Sequence, residues 1–281
     1  MLYHKQTMTQ DPPFRFLPLS CTSCLFLLFV FFYGVESSFP SYCSSDVACN
    51  GVRISYPFWK IDHGSDISCG YQGFGLSCSS SNDTYPILTL PNDSYYVKDI
   101  NYSTGSLTLV DIDVVEQSCP RAKHNFSINS LPLDYHSDDV NLTFYFNCSI
   151  TSTGYDTLPV DPIDCLVNSP GKTSYVVLEG TPAEQYNWAA GACDEVVVAT
   201  VKKTEVSETD LISKFSEAMK TGFLLLYDTT KDCGACEFTH GRCGLDNRTG
   251  QFLCFCDNGS IHANGSNTYC TTDLSKIDIE S

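Results

Sequence analysis

Basic residues are scarce: 16 Lys and Arg stand against 33 Asp and Glu in 281 residues, a formal net charge of −17. A surface this acidic repels phosphate backbones and anionic lipid, which argues against nucleic acid and acidic membranes as ligands. Long apolar runs are scarce too. After one greasy stretch, Leu17 to Tyr33, nothing approaches the ~20 residues of a bilayer-spanning helix. The signatures of phosphoryl transfer are missing, with no H-R-D or D-F-G triplet anywhere. Gly171-Lys172-Thr173 ends like a phosphate-binding loop, but Leu166 stands where that loop needs its first glycine. Gly70, Gly73 and Gly75 come in the wrong order for a dinucleotide fingerprint. Asp111-Ile-Asp113 opens like a calcium loop, yet Glu116 occupies the obligatory glycine position. No G-x-S-x-G nucleophile motif occurs, and His63, His124, His136, His240 and His262 are scattered. Carboxylates are so abundant that any pair of them is poor support for a secreted hydrolase, the weakest functional alternative.

Cysteine, in contrast, is plentiful, with 16 in the chain. Arg15, the apolar run, Gly34 and the small residues Ser37 and Ser38 read as a signal peptide over residues 1–38. Cys21 and Cys24 leave with it. The leader's Lys5, Arg15, Asp11 and Glu36 cancel, so the mature charge stays at −17. Export places the other fourteen cysteines in an oxidising compartment: Cys43, Cys49, Cys69, Cys78, Cys119, Cys148, Cys165, Cys193, Cys233, Cys236, Cys243, Cys254, Cys256 and Cys270. Their even number implies up to seven disulfides. Asn-x-Ser/Thr sequons at Asn82, Asn92, Asn101, Asn125, Asn141, Asn147, Asn247, Asn258 and Asn264 mark a glycoprotein. The expected location is extracellular, with membrane tethering only if the leader stays as an uncleaved anchor.

The pattern of the remaining chain is mainly β. Residues 39–117 open on an alternating run in which Val52, Ile54, Tyr56 and Phe58 face one way and Arg53, Ser55 and Trp59 the other. Pro57 makes this an edge strand or a strand end. Short strands follow at Ile87–Leu90, Tyr95–Ile100 and Leu107–Val110, separated by turn residues. Residues 118–228 form a second β-rich domain. Its clearest strand, Asn141 to Cys148, is expected to put Leu142, Phe144, Phe146 and Cys148 on one face. Asn141, Thr143, Tyr145 and Asn147 then share a polar, glycan-bearing face. Further strands are Ser174–Glu179, Glu195–Val201 and the buried run Phe223 to Tyr227. One helix spans about Thr209 to Thr221, with Ser207-x-x-Asp210 as its capping box, an apolar stripe through Leu211, Phe215 and Met219, and Gly222 as its stop.

Residues 229–270 read C-x2-C-x6-C-x10-C-x-C-x13-C with little else apolar, so disulfides must hold the segment together. Residues 271–281 are a polar tail. Cys233-Gly-Ala-Cys236 lacks the second ligand pair of a zinc site and the βαβ setting of a redox site, which leaves structural disulfides. Six cysteines allow 15 connectivities. The C-x-C at Cys254 and Cys256 resembles an EGF-like module, and that analogy implies the pairs Cys233–Cys243, Cys236–Cys254 and Cys256–Cys270.

With catalysis unsupported, a binding surface remains. The first domain is rich in aromatics, and sugar rings stack their C–H faces on aromatic rings while polar groups bond the hydroxyls. Arg53, Trp59, Lys60, Tyr71, Tyr96 and Lys98 are the candidate ligand-binding residues. Arg121 and Lys123 are further cations near this segment.

Cys49-Asn-Gly-Val-Arg-Ile-Ser-Tyr56-Pro57-Phe58, then Cys69-Gly70 through Phe74-x-Leu76-x-Cys78, resembles the galacturonan-binding domain of plant wall-associated receptor kinases. Pro86-x-Leu88 and Tyr95-x-Val97-x-x-Ile100 continue the likeness. Gly222-Phe223, Cys233-x-x-Cys236, Gly241-x-Cys243-Gly244 and Cys254-x-Cys256 resemble the C-terminal domain of the same family. The likeness is greatest to ectodomains of the leaf-rust-resistance-locus type. Asn50 follows Cys49 where the family usually has glycine, and Tyr227 stands where relatives often carry tryptophan. The missing transmembrane helix and kinase of the family are a further departure, so the expectation is a non-catalytic ectodomain, and the resemblance implies a pectin-like cell-wall polysaccharide as partner. It implies no cofactor, although calcium bridging an acidic polysaccharide is compatible with it. The rival expectation is a protein-binding ectodomain or decoy, with receptor kinases or other extracellular proteins as partners.

Overall fold

A computed structural model describes residues 43, 46–62, 64–79, 84–90, 93–128, 131–149, 160–167, 170–182, 192–228, 231–263 and 270. The leader 1–38, the tail 271–281 and the sequons Asn82, Asn92 and Asn264 lie outside the described residues.

Mainly β structure is what the chain adopts. A small hairpin, β1 (Val47–Cys49) and β2 (Val52–Ile54), precedes β3 (Trp59–Lys60), β4 (Ile67–Cys69), β5 (Gly75–Ser77), β6 (Ile87–Thr89), β7 (Ser94–Asn101) and β8 (Ser106–Asp111). A one-turn helix α1 (Ile112–Val115) follows, then β9 (Leu133–Tyr135), β10 (Asp139–Cys148), β11 (Thr173–Leu178) and β12 (Glu195–Lys202). The chain closes with α2 (Leu211–Thr221), β13 (Phe223–Tyr227), α3 (Lys231–Phe238), β14 (Arg242–Asp246), β15 (Gln251–Phe255) and β16 (Ile261–Ala263).

The largest sheet has seven strands in the order β3-β5-β6-β7-β8-β13-β9. The apolar run from Phe223 to Tyr227 lies inside it as β13, paired to β8 on one side and β9 on the other. A second sheet, β11-β10-β12, packs against α2. Phe144 and Phe146 from β10 and Val197 and Val201 from β12 meet Leu211, Phe215, Ala218 and Met219 of the helix, the stripe read from the sequence. Asp210 takes the helix N-cap position, and its carboxylate accepts from the backbone N–H and hydroxyl of Ser207. Gly222 ends the helix at φ +88°, with the Leu109 carbonyl so close that no Cβ fits there.

The two largest cores run across the boundaries expected at 117/118 and 228/229. The first core joins residues of β2 and β5–β8 to Phe223, Leu225 and the module cysteines Cys233, Cys236, Cys243 and Cys254. The cysteine-rich module is not a separate bead. Its strand β14 pairs with β4, giving a four-stranded sheet β16-β15-β14-β4. Glu237 of α3 accepts hydrogen bonds from the hydroxyls of Tyr56 at 2.5 Å and Tyr71 at 2.9 Å. The unit built from β10–β12 and α2 is an insertion: the chain leaves the large sheet after β9 and re-enters it as β13.

Seven disulfides staple this arrangement: Cys43–Cys69, Cys49–Cys78, Cys119–Cys165, Cys148–Cys193, Cys233–Cys243, Cys236–Cys254 and Cys256–Cys270. The last three have the EGF-like order. Gly241 lies against the sulfurs of Cys236, Cys254 and Cys270, where a Cβ would stand 2.6–2.8 Å from them.

Two expected strand faces are broken. The run from Val52 is interrupted by a turn in which the Phe58 N–H donates to the Ser55 carbonyl at 2.9 Å. Arg53 and Trp59 therefore belong to different strands in different sheets and share no face. In β10 the residue Asn147 has φ +52° and the register with β11 shifts between Tyr145 and Cys148. That bulge removes Cys148 from the face of Leu142, Phe144 and Phe146 and packs it with Tyr145 and Val177. The face expected to be polar is thus partly covered, with Tyr145 buried and Asn141 and Asn147 half-buried.

Candidate functional site

The edge strand β3 carries Trp59 at the rim of the large sheet. Trp59 pairs in parallel with Gly75, and Lys60 with Leu76. The indole lies over Gly70 and Gly75, where a Cβ on Gly75 would come within 2.8 Å of it. Its Nε1 donates to the Tyr71 carbonyl at 3.1 Å. These contacts fix the ring and leave it half-buried, with part of its surface on the groove. Next to it in the chain, Phe58 stacks on Phe74 at 4.7 Å.

Beside Trp59 opens a groove of about 260 Å³. Tyr56 and Ile67 give it apolar wall, while Lys60, Asp62, Ser65, Ser68 and Asn247 supply polar groups. Asn247 reaches in from the β14–β15 turn: its amide donates to the Ser65 carbonyl at 3.0 Å and accepts from the Ser68 hydroxyl at 3.2 Å. The site therefore needs both ends of the chain. A half-buried indole, apolar wall and hydroxyl and amide groups suit a sugar ring.

The other sequence candidates do not converge here. Arg53 is ion-paired with Asp46, whose carboxyl is held below its ordinary range by the Ser55 hydroxyl and by Arg53 itself. Tyr71 is only 4% exposed, with its hydroxyl on Glu237, so it is a core residue and offers no stacking face. Tyr96 is half-buried in β7 and pairs with Ile87 and Val110. Lys98 donates to the Lys220 carbonyl at the end of α2 at 2.6 Å, and burial pushes its ammonium pKa down. Arg121 pairs with Glu195 over the Phe146 ring, and Lys123 pairs with Asp113 at 2.8 Å. Only Trp59 and Lys60 of the six candidates line the groove. Ser65, Ser68 and Asn247 were missed because no periodic signal marks them and Asn247 reads only as a sequon.

Other features offer less to a sugar. A cavity of about 270 Å³ at the start of α2 is lined by Asp161, Glu208 and Asp210 and by no aromatic ring. Asp93, Asp111 and Asp113 bring carboxylate oxygens within 4.8 Å of one another. Burial raises Asp111 to about 6, while the Asp113 N–H it accepts opposes that shift. This cluster sits just before β7, at the end of β8 and in α1, not at the groove.

The architecture defines a class: a disulfide-stapled, β-rich domain of the extracellular type, with a carbohydrate-sized groove at a sheet edge. Two family models narrow it. The wall-associated receptor kinase galacturonan-binding model matches residues 43–111, and the wall-associated receptor kinase C-terminal model matches residues 164–259. The chain is 28% identical over 235 residues to leaf rust 10 disease-resistance locus receptor-like protein kinase-like 1.2 of Arabidopsis thaliana, covering 80% of this chain and 34% of that protein. It is 27% identical over 227 residues to kinase-like 2.1 of the same series and organism, covering 76% and 34%. It carries the paired ectodomain modules of the wall-associated receptor kinases and is homologous to the leaf-rust-type receptor-like kinases. The chain spans about a third of the length of these relatives. Both matched models are ectodomain models. No solved structure matches. Among the described residues no helix is long and apolar enough to cross a membrane.

Proposed function

We propose that this chain binds pectin-type cell-wall polysaccharide outside the cell and does so without catalysis. The observation that carries the reading is the half-buried Trp59 lining a groove with polar groups, inside the segment matched by the galacturonan-binding model. Trp59 supplies the stacking face. Lys60 supplies a cation at the groove, and Ser65, Ser68 and Asn247 give it a polar wall.

The test is calorimetric titration of pectin fragments into the glycosylated protein. Trp59→Ala should weaken binding by about 1–2 kcal/mol, roughly five- to thirtyfold. Arg53→Ala should leave affinity unchanged, because that side chain is engaged by Asp46 outside the groove. Circular dichroism checks that both variants fold. Absence of saturable binding by the wild type would discard the polysaccharide reading in favour of a protein-binding ectodomain.

A further inference from the structure

Two bridges of the cysteine-rich module touch each other. The Sγ atoms of Cys254 and Cys270 lie 3.7 Å apart, although each is bonded to another sulfur, that of Cys236 and of Cys256. Cys256 joins the contact, with the Sγ atoms of Cys254, Cys256 and Cys270 all within 4.8 Å of one another. Gly241 makes room for it, since a Cβ there would strike the sulfurs of Cys236, Cys254 and Cys270. A hydroxyl clip holds the same residues together independently of the bridges. Thr239 Oγ1 accepts from the Cys270 N–H at 3.1 Å and donates to the Cys236 carbonyl at 2.8 Å. Cys270 is therefore kept beside the Cys236–Cys254 bridge by more than its own bond to Cys256.

Exposure sets the point of entry. Cys236, Cys254 and Cys256 are at most 1% exposed, whereas Cys270 is half-buried. We propose that the two bridges form a thiol–disulfide relay, entered at Cys270 by an extracellular dithiol. One thiolate of the dithiol attacks Cys270 Sγ and expels the Cys256 thiolate. The second thiol of the reagent then resolves the mixed disulfide, so the reagent leaves oxidised and Cys270 becomes a thiolate. That thiolate attacks Cys254 Sγ, forms a Cys254–Cys270 bridge and expels the Cys236 thiolate. The protons lost by the dithiol end on Cys236 and Cys256. Reduction thus enters at the surface and ends on a buried cysteine of α3. Cys236 adjoins Glu237, the acceptor for Tyr56 and Tyr71, so the relay unpins α3 from β15 next to that joint. The relay is independent of what the groove binds.

The experiment treats the glycosylated full chain with limiting dithiothreitol at pH ~8, quenches with acid and alkylates the free thiols. Chymotrypsin cleaves after Phe255 and so separates Cys254 from Cys256 for mass mapping. Burial alone would protect Cys236–Cys254 as well as Cys233–Cys243, whose residues are 3% and 1% exposed. The relay should instead label Cys236 nearly as heavily as Cys256 and about tenfold more than Cys233, and should yield a linked Cys254–Cys270 peptide. Cys256→Ser supplies the Cys270 thiol without any reductant. Its free thiol should divide between Cys270 and Cys236, and adding Thr239→Val, which removes the clip, should shift it towards Cys270. Labels confined to Cys256 and Cys270 in the wild type, or a free thiol on Cys270 alone in Cys256→Ser, overturn the proposal. If Cys256→Ser is not secreted, the wild-type map alone decides.

Discussion

Replacing Asp139 by Asn should stabilise the protein at neutral pH and have no effect in acid. Asp139 opens β10, is 9% exposed, and both its carboxylate oxygens accept from the Leu224 N–H of β13 at 3.1 and 3.0 Å. Burial raises its pKa from 3.8 to about 6, against the opposing pull of the Leu224 N–H, His136 and Lys202. A carboxyl with a raised folded pKa binds its proton more tightly in the fold than in the unfolded chain. Its stabilising share is complete below about 4 and is lost as pH rises through about 6. Roughly two pH units at ~1.4 kcal/mol each set an upper bound of about 3 kcal/mol. The amide introduced by Asp139→Asn is neutral at every pH and keeps an acceptor for Leu224. The gain over wild type should therefore be near zero at pH 4 and grow to about 1–3 kcal/mol above pH 6.5. Urea denaturation of the oxidised protein at pH 4, 5, 6 and 7, followed by tryptophan fluorescence, measures it. A pH-independent difference, or a variant less stable at pH 7, would refute the reasoning.

Three further outcomes are expected. Gly222→Ala should cost more than about 2 kcal/mol, since φ is +88° and a Cβ would stand 2.6 Å from Val110 Cγ2 besides striking the Leu109 carbonyl; Gly250→Ala, at φ +70° with open space, should cost only about 1 kcal/mol. Glu237→Ala removes the shared acceptor of Tyr56 and Tyr71 and should cost about 2–4 kcal/mol, with faster amide exchange in α3 and β14; unchanged exchange there would contradict the joint. Glycopeptide mapping should find sugar on Asn101, Asn125, Asn141 and Asn258, whose side-chain oxygens accept bonds and whose amide nitrogens donate none among the described residues. Asn247 should be bare, because the nitrogen that would carry the sugar donates to Ser65; majority occupancy there would overturn this.

What the sequence made legible is local. β7, β8, β13 and α2 fall where alternation, a turn or a capping residue placed them, because each signal and its consequence lie within a few residues. Reading failed where one residue changed the geometry of its neighbours. The turn at Pro57 separated Arg53 from Trp59, and the bulge at Asn147 turned Cys148 away from Phe146. It failed again where distant segments meet, as in β4 with β14 or Asn247 with Ser65, since such pairs leave no periodic trace. Of the candidate site, the aromatic anchor and Lys60 were readable. Whether the nearby cations gather is not legible in sequence; Arg53, Lys98, Arg121 and Lys123 each have a partner away from the groove.

The pairing of β4 with β14 also sets a timetable for biosynthesis. Cys69 finds its partner Gly244 only some 175 positions later in the chain. At ribosomal rates of about 5–20 residues per second, β4 waits roughly 10–35 s for its neighbour. During that interval β4 is an unpaired strand edge. The groove beside Trp59 is therefore complete only once the last cysteine-rich segment has been made and docked.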